Sequence, residues 1–140
     1  MRSGEKFIST IKVCSEKLQA QANEVLKEND LTMPQGMVIR TLSISPNNKC
    51  TLKELEKKLS VSQPTLAGLV VRLEKKEFVQ TYIDENDRRV KIAVLTEKGI
   101  EVEQIISKTF ETFEKNIFND ITEEEKNLLL NTLNKILNKI

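Results

Sequence analysis

The stretch VSQPTLAGLVVRLEKKEFVQTYIDENDRRVKIAVLTEKG, residues 61–99, changes its apolar rhythm halfway along. Leu66, Leu69, Val70 and Leu73 recur at i, i+3, i+4 and i+7, which puts them on one face of a helix predicted over 63–76. Ser62 is its expected N-cap and Pro64 falls in the first turn, where a missing N–H costs little. Between 78 and 95 the period becomes two. Val79, Thr81 and Ile83 alternate with Gln80 and Tyr82, and Val90, Ile92 and Val94 alternate with Lys91 and Ala93. With DENDRR at 84–89 between them, these runs read as a β-hairpin with a charged tip.

Upstream, Leu52, Leu55 and Leu59 share a face of a short helix predicted over 52–59. Ser60, Val61 and Ser62 then form a connection of the length found in a helix-turn-helix. A helix-turn-helix followed directly by a hairpin is a winged helix. Its geometry suits duplex DNA, with the second helix sized for the major groove and the wing reaching the neighbouring minor groove.

Further out, the chain is helical. Phe7, Ile11, Cys14, Leu18, Ala22 and Val25 stripe a helix predicted over 5–28, about 36 Å long at 1.5 Å per residue. Other helices are expected at 34–44, 97–118 and 123–139. Capping boxes are expected at Thr32 with Gln35, Thr51 with Glu54 and Thr122 with Glu125, and a plain N-cap at Thr96. The expected fold class is therefore mainly α with a small β-hairpin wing: a winged helix-turn-helix lobe plus a helical dimerisation region.

Composition narrows the chemistry. The 140 residues suffice for one ordinary domain, and 22 basic against 21 acidic residues leave a net charge of only +1. Residues 51–98 carry net +2 and residues 99–140 net −3, a shallow gradient that mixed solvated faces explain almost as well as a polyanionic partner. The chain has no histidine, so it holds no Ser-His-Asp or Cys-His constellation and no His-bearing zinc site. Cys14 and Cys50 are too far apart for a CxxC pair, and no phosphate-cradling glycine loop is present. No catalytic constellation, metal or cofactor is expected. No apolar run reaches 18 residues and MRSGEKFIST is not a signal peptide, so no membrane association and a cytoplasmic location are expected.

Asp84, Asp87, Arg88 and Arg89, followed by Leu95, Thr96 and Gly99, resemble the wing signature of the MarR family of bacterial and archaeal transcription factors. RLEKKEFV at 72–79 resembles the end of that family's recognition helix, and the flanking layout agrees over nearly the whole chain. The resemblance implies one domain over 1–140: dimerisation helices at 1–30 and 100–140, and a winged lobe at 31–99. It implies a homodimer on a pseudo-palindromic double-stranded operator, with a small aromatic or phenolic anion as effector. It also implies that one wing arginine enters the minor groove while the aspartates fix the turn. Arg89 is the motif match, with Arg88 beside it.

The solvent face of the second helix supplies the other expected DNA contacts. These are Ser62, Gln63, Pro64, Thr65, Ala67, Gly68, Val71, Arg72 and Lys75, with Lys53 and Lys49 as phosphate contacts. Gln63 and Arg72 have the donor geometry to read adenine and guanine. Two departures from the family stand out. Ala67 and Gly68 occupy positions where a polar or bulky pair is common, so specificity is expected to lean on the wing and on DNA shape. Glu77 stands where a glycine often ends the helix. Cys14 is expected to be buried on its apolar stripe and Cys50 to be the more exposed thiol.

Overall fold

Helix starts follow the capping chemistry written into the sequence. The computed structural model describes residues 2–140. Thr32 Oγ1 accepts from the Gln35 amide at 3.4 Å while Gln35 Oε1 accepts from the Thr32 amide at 3.2 Å, and Thr122 and Glu125 do the same at 3.1 and 3.3 Å. At Thr51 only half of the expected box forms: its hydroxyl accepts from the Glu54 amide, and Glu54 does not reach back. Ser62 and Thr96 cap as expected, accepting from the Thr65 and Gly99 amides at 3.3 and 3.0 Å.

Among the described residues six α-helices result: α1 (Ser3–Glu28), α2 (Met33–Ser43), α3 (Leu52–Leu59), α4 (Gln63–Lys75), α5 (Glu97–Ile117) and α6 (Glu123–Leu137). Three strands accompany them: β1 (Lys49–Thr51), β2 (Val79–Ile83) and β3 (Lys91–Leu95). They form one antiparallel sheet in the order β1-β3-β2. The hairpin β2–β3 is the expected one. β1 is an addition, three residues following a 3-10 turn at Pro46–Asn48, too short to leave a periodic signal.

The sheet also corrects the expected phase of β3. Ala93 and Leu95 are the buried residues, while Ile92 and Val94 are half-buried. The register explains this. Cys50 and Thr81 flank Ala93 on one face, and Val79 pairs with Leu95, so the small and branched residues together face the helices. Cys50 is consequently buried, not exposed, and donates from Sγ to Ser45 Oγ at 3.0 Å. Cys14 reverses the other way and is exposed in the single chain.

Two compact units divide the chain, Met1–Ile106 and Ser107–Ile140. The first holds the core. Val38 and Leu42 of α2, Leu55 of α3 and Leu73 of α4 are completely inaccessible, with Ile39, Leu66 and Val70 nearly so. Each such side chain contributes about 1.5–3 kcal/mol relative to its exposed state. The expected dimerisation segment 1–30 begins at Met1, which lies outside the described residues. From Ser3 to Val25, α1 buries nothing. The second unit contains the end of α5 and all of α6, and none of its residues is buried. There Lys126 binds Glu114 at 2.9 Å and lies 4.7 Å over the Phe118 ring, and the Glu114 carboxylate raises the Lys126 pKa above its ordinary value.

Candidate nucleic-acid interface

The face of α4 opposite its core stripe is open along its length. Gln63, Pro64, Thr65, Ala67, Gly68, Val71, Arg72 and Lys75 are all exposed, as is the cap Ser62. Gln63, Arg72 and Lys75 make no side-chain hydrogen bond or ion pair with any other described residue, so their donors are free for a ligand. Ser62 and Thr65 differ. Both hydroxyls are engaged in the cap, with Ser62 Oγ donating to Thr65 Oγ1 at 2.9 Å. A Cβ built on Gly68 meets nothing within 4 Å, so the flat Ala67–Gly68 step is left open by the fold and filled by none of its own side chains.

At its far end α4 stops without glycine. Glu77 takes the left-handed conformation at φ 66°. Its amide donates to the Glu74 carbonyl at 2.9 Å and the Phe78 amide to the Leu73 carbonyl at 3.0 Å, the paired bonds of a Schellman stop. Asp30 after α1 and Ser60 after α3 close in the same way. The departure from glycine at 77 therefore leaves the cap intact, at a conformational cost of about 1–2 kcal/mol.

The wing is a tight acidic turn. Asp84 Oδ2 accepts from the Asp87 amide at 3.2 Å, the Asp84 amide donates to the Val90 carbonyl at 2.9 Å, and the Val90 amide donates to the Asp87 carbonyl at 3.0 Å. Within it the two arginines part company. Arg89 grips Asp87 side-on, Nε to Oδ1 at 3.1 Å and a terminal nitrogen to Oδ2 at 3.2 Å, with its own amide also donating to Oδ1. These bonds hold the Asp87 carboxyl below its ordinary pKa. Arg88 is exposed and makes no hydrogen bond or ion pair with any described residue. The aspartate clamp is the expected one. The free guanidinium at the tip belongs to Arg88, whereas that of Arg89, the motif match, is bound to Asp87.

A groove of about 390 Å³ joins these pieces, lined among others by Lys53 of α3, Gln63 of α4, and Arg89 and Lys91 of the wing, with Glu56 the one carboxylate. Lys53 is exposed beside the α3 N-terminus. Lys49 is turned along the sheet, its Nζ donating to Tyr82 Oη at 3.4 Å. Sequence reasoning did not single out Lys91. Its pairing with Ile83 at the first rung of the hairpin is what places it beside the groove. Among the described residues no group of metal-ligating side chains occurs, and no helix is long and apolar enough to cross a membrane.

Two helices in a helix-turn-helix, a three-stranded sheet and an arginine-tipped hairpin define a winged helix. The MarR family model matches residues 31–91. An HTH-type transcriptional regulator, SarZ of Staphylococcus haemolyticus, is 32% identical over 129 residues, covering 89% of this chain and 82% of that protein. The crystal structure of the Staphylococcus aureus MepR–DNA complex superposes with a TM-score of 0.78 at 25% identity, over 94% of this chain and 95% of that one. That of MepR described as a transcription regulator of the multidrug efflux pump MepA gives 0.80 at 24%, over 99% and 98%. The chain belongs to the MarR family.

Proposed function

We propose that this protein is a cytoplasmic, homodimeric, sequence-specific DNA-binding transcriptional regulator, a repressor released by a small aromatic or phenolic ligand. The observation that carries the DNA reading is the open face of α4, with Gln63, Arg72 and Lys75 unpartnered, beside a wing whose tip presents Arg88. Gln63 and Arg72 read base edges, Lys53 and Lys75 hold phosphates, and Ala67 and Gly68 admit close approach of the duplex. Arg88 and Arg89 serve the minor groove, Arg88 with its guanidinium already free. A relative of this fold has been crystallised on DNA, which supports the same use here.

The dimer reading rests on exposed apolar surface outside the core. Ile8, Ile11 and Leu18 of α1, and Leu128, Leu129 and Leu137 of α6, are all exposed in the single chain. Burying on the order of 1,000 Å² of apolar surface is worth about 25 kcal/mol before the entropy of association is subtracted. A two-fold dimer then requires half-sites about one helical turn apart. A ligand releases the operator by preferring a different spacing of the two recognition helices.

The test is selection of bound duplexes from a random pool at two salt concentrations, with wild type, Arg88→Ala and Arg89→Ala. A selected palindrome, a salt slope of about −0.9 per phosphate contact, and weaker binding by at least one variant are expected. Absence of duplex affinity at low salt in the folded, ligand-free protein overturns the reading in favour of a winged-helix protein-interaction module. One observation favours a second regulatory reading, oxidant sensing: Cys14 is exposed in the single chain. Under the ligand reading its stripe is covered by the partner, and Cys14→Ser leaves the response to peroxide unchanged.

A further inference from the structure

Lys76, the C-cap of α4, stands where three helix ends meet. Its Nζ donates to the Asp30 carbonyl at the left-handed exit of α1, and to Gln35 Oε1 at 3.0 Å in the first turn of α2. Gln35 is itself buried, and the same oxygen accepts from the Thr32 amide to complete the α2 capping box. From the other side α5 holds the same joint. Lys98 Nζ donates to the Lys76 carbonyl at 3.0 Å, and Thr96 Oγ1 donates to the Glu77 carbonyl at 2.6 Å. The Lys76 side chain is only 26% accessible, and its ammonium also lies 3.7 Å from the Asp30 carboxylate.

We propose that Lys76 is a positioning residue for DNA recognition, fixing the aim of α4 by tying its exit to the α1–α2 corner. This rests on the DNA-binding reading above. The lever argument sets its weight. Thirteen residues at 1.5 Å each make α4 about 20 Å long, so a tilt of roughly 10° about the Lys76 end carries Gln63 through about 3.4 Å, one base step. Loss of the tether therefore blurs which bases are read without removing a phosphate contact. Because Asp30 and Gln35 bracket the joint between α1 and α2, the same ammonium also passes any shift of that corner directly to the recognition helix.

The experiment compares Lys76→Met with wild type on the palindrome selected by wild type and on an unrelated duplex, across a salt series. Binding to the palindrome is expected to weaken about tenfold or more, with affinity for the unrelated duplex within about twofold and the salt slope unchanged. Equal weakening on both duplexes, a slope smaller by about one, or no weakening at all overturns the proposal. Should Lys76→Met fail to fold, Lys76→Ala, which likewise removes the donor, carries the same comparison. If wild type selects no duplex, it is the DNA-binding reading that fails.

Discussion

The winged lobe and its flanks are built from similar sequence and behave in opposite ways. Between Leu26 and Ile106 every α-helix and strand contributes buried apolar side chains, and α2, α3 and α4 meet over residues with no accessible surface. From Ser3 to Val25 and from Ser107 to Ile140, amphipathic helices of ordinary composition bury nothing. The lobe buries its apolar stripes within one chain, whereas the stripes of the flanks stay accessible in the single chain. Amphipathicity therefore identifies a face to be buried, and says nothing of which molecule buries it.

The sharpest way to break this contrast is at the lobe. A Cβ at Gly99 would overlap the Phe78 carbonyl oxygen and come within 3.1 Å of Leu95 Cδ2. Gly99→Val is expected to destabilise by more than about 4 kcal/mol, read as loss of the cooperative thermal transition. Next, Leu73→Ala should cost about 2–5 kcal/mol in urea unfolding. Leu128→Ala, at a residue 65% exposed, should leave the lobe's transition within about 0.5 kcal/mol while lowering, in sedimentation, the fraction of the dimer proposed above. Similar losses at both positions would erase the distinction between core and flank.

Smaller effects separate stability from recognition. Gly68→Ala meets open space and should stabilise α4 by about 1 kcal/mol, while weakening the operator affinity proposed for that face. Stabilisation with unchanged affinity would place the duplex elsewhere. The smallest effect is acidic. The folded pKa of Asp87 lies below 3.8 because Arg89 bonds the ionised form, so the contribution of that pair is complete above pH 3.8. It is lost as pH falls through the depressed value. Carboxyl chemical shifts should show this titration, and Arg89→Ala should return it to the ordinary range.

Much of the lobe was legible because its signals are local. Thr32, Thr51 and Ser62 announce helices through groups three residues away, and Leu66, Val70 and Leu73 sit on the face their spacing dictates. What escaped is non-local. β1 exists because Lys49, Cys50 and Thr51 pair with Val94, Ala93 and Ile92 some forty residues on, and that pairing also buries Cys50 and sets which face of β3 turns inward. The candidate site divides likewise. The open face of α4 follows from helical period alone. The contrast between a clamped Arg89 and a free Arg88 depends on how one turn closes.

β1 carries one more consequence. Thr51 is at once the last residue of that strand and the cap of α3, so no spare residue separates sheet from helix. The hairpin is laddered to β1, and β1 runs straight into the first turn of the helix-turn-helix. Wing and α3 are thus joined through one hydrogen-bonded sheet, with no linker residue between the last rung of the ladder and the first turn of the helix.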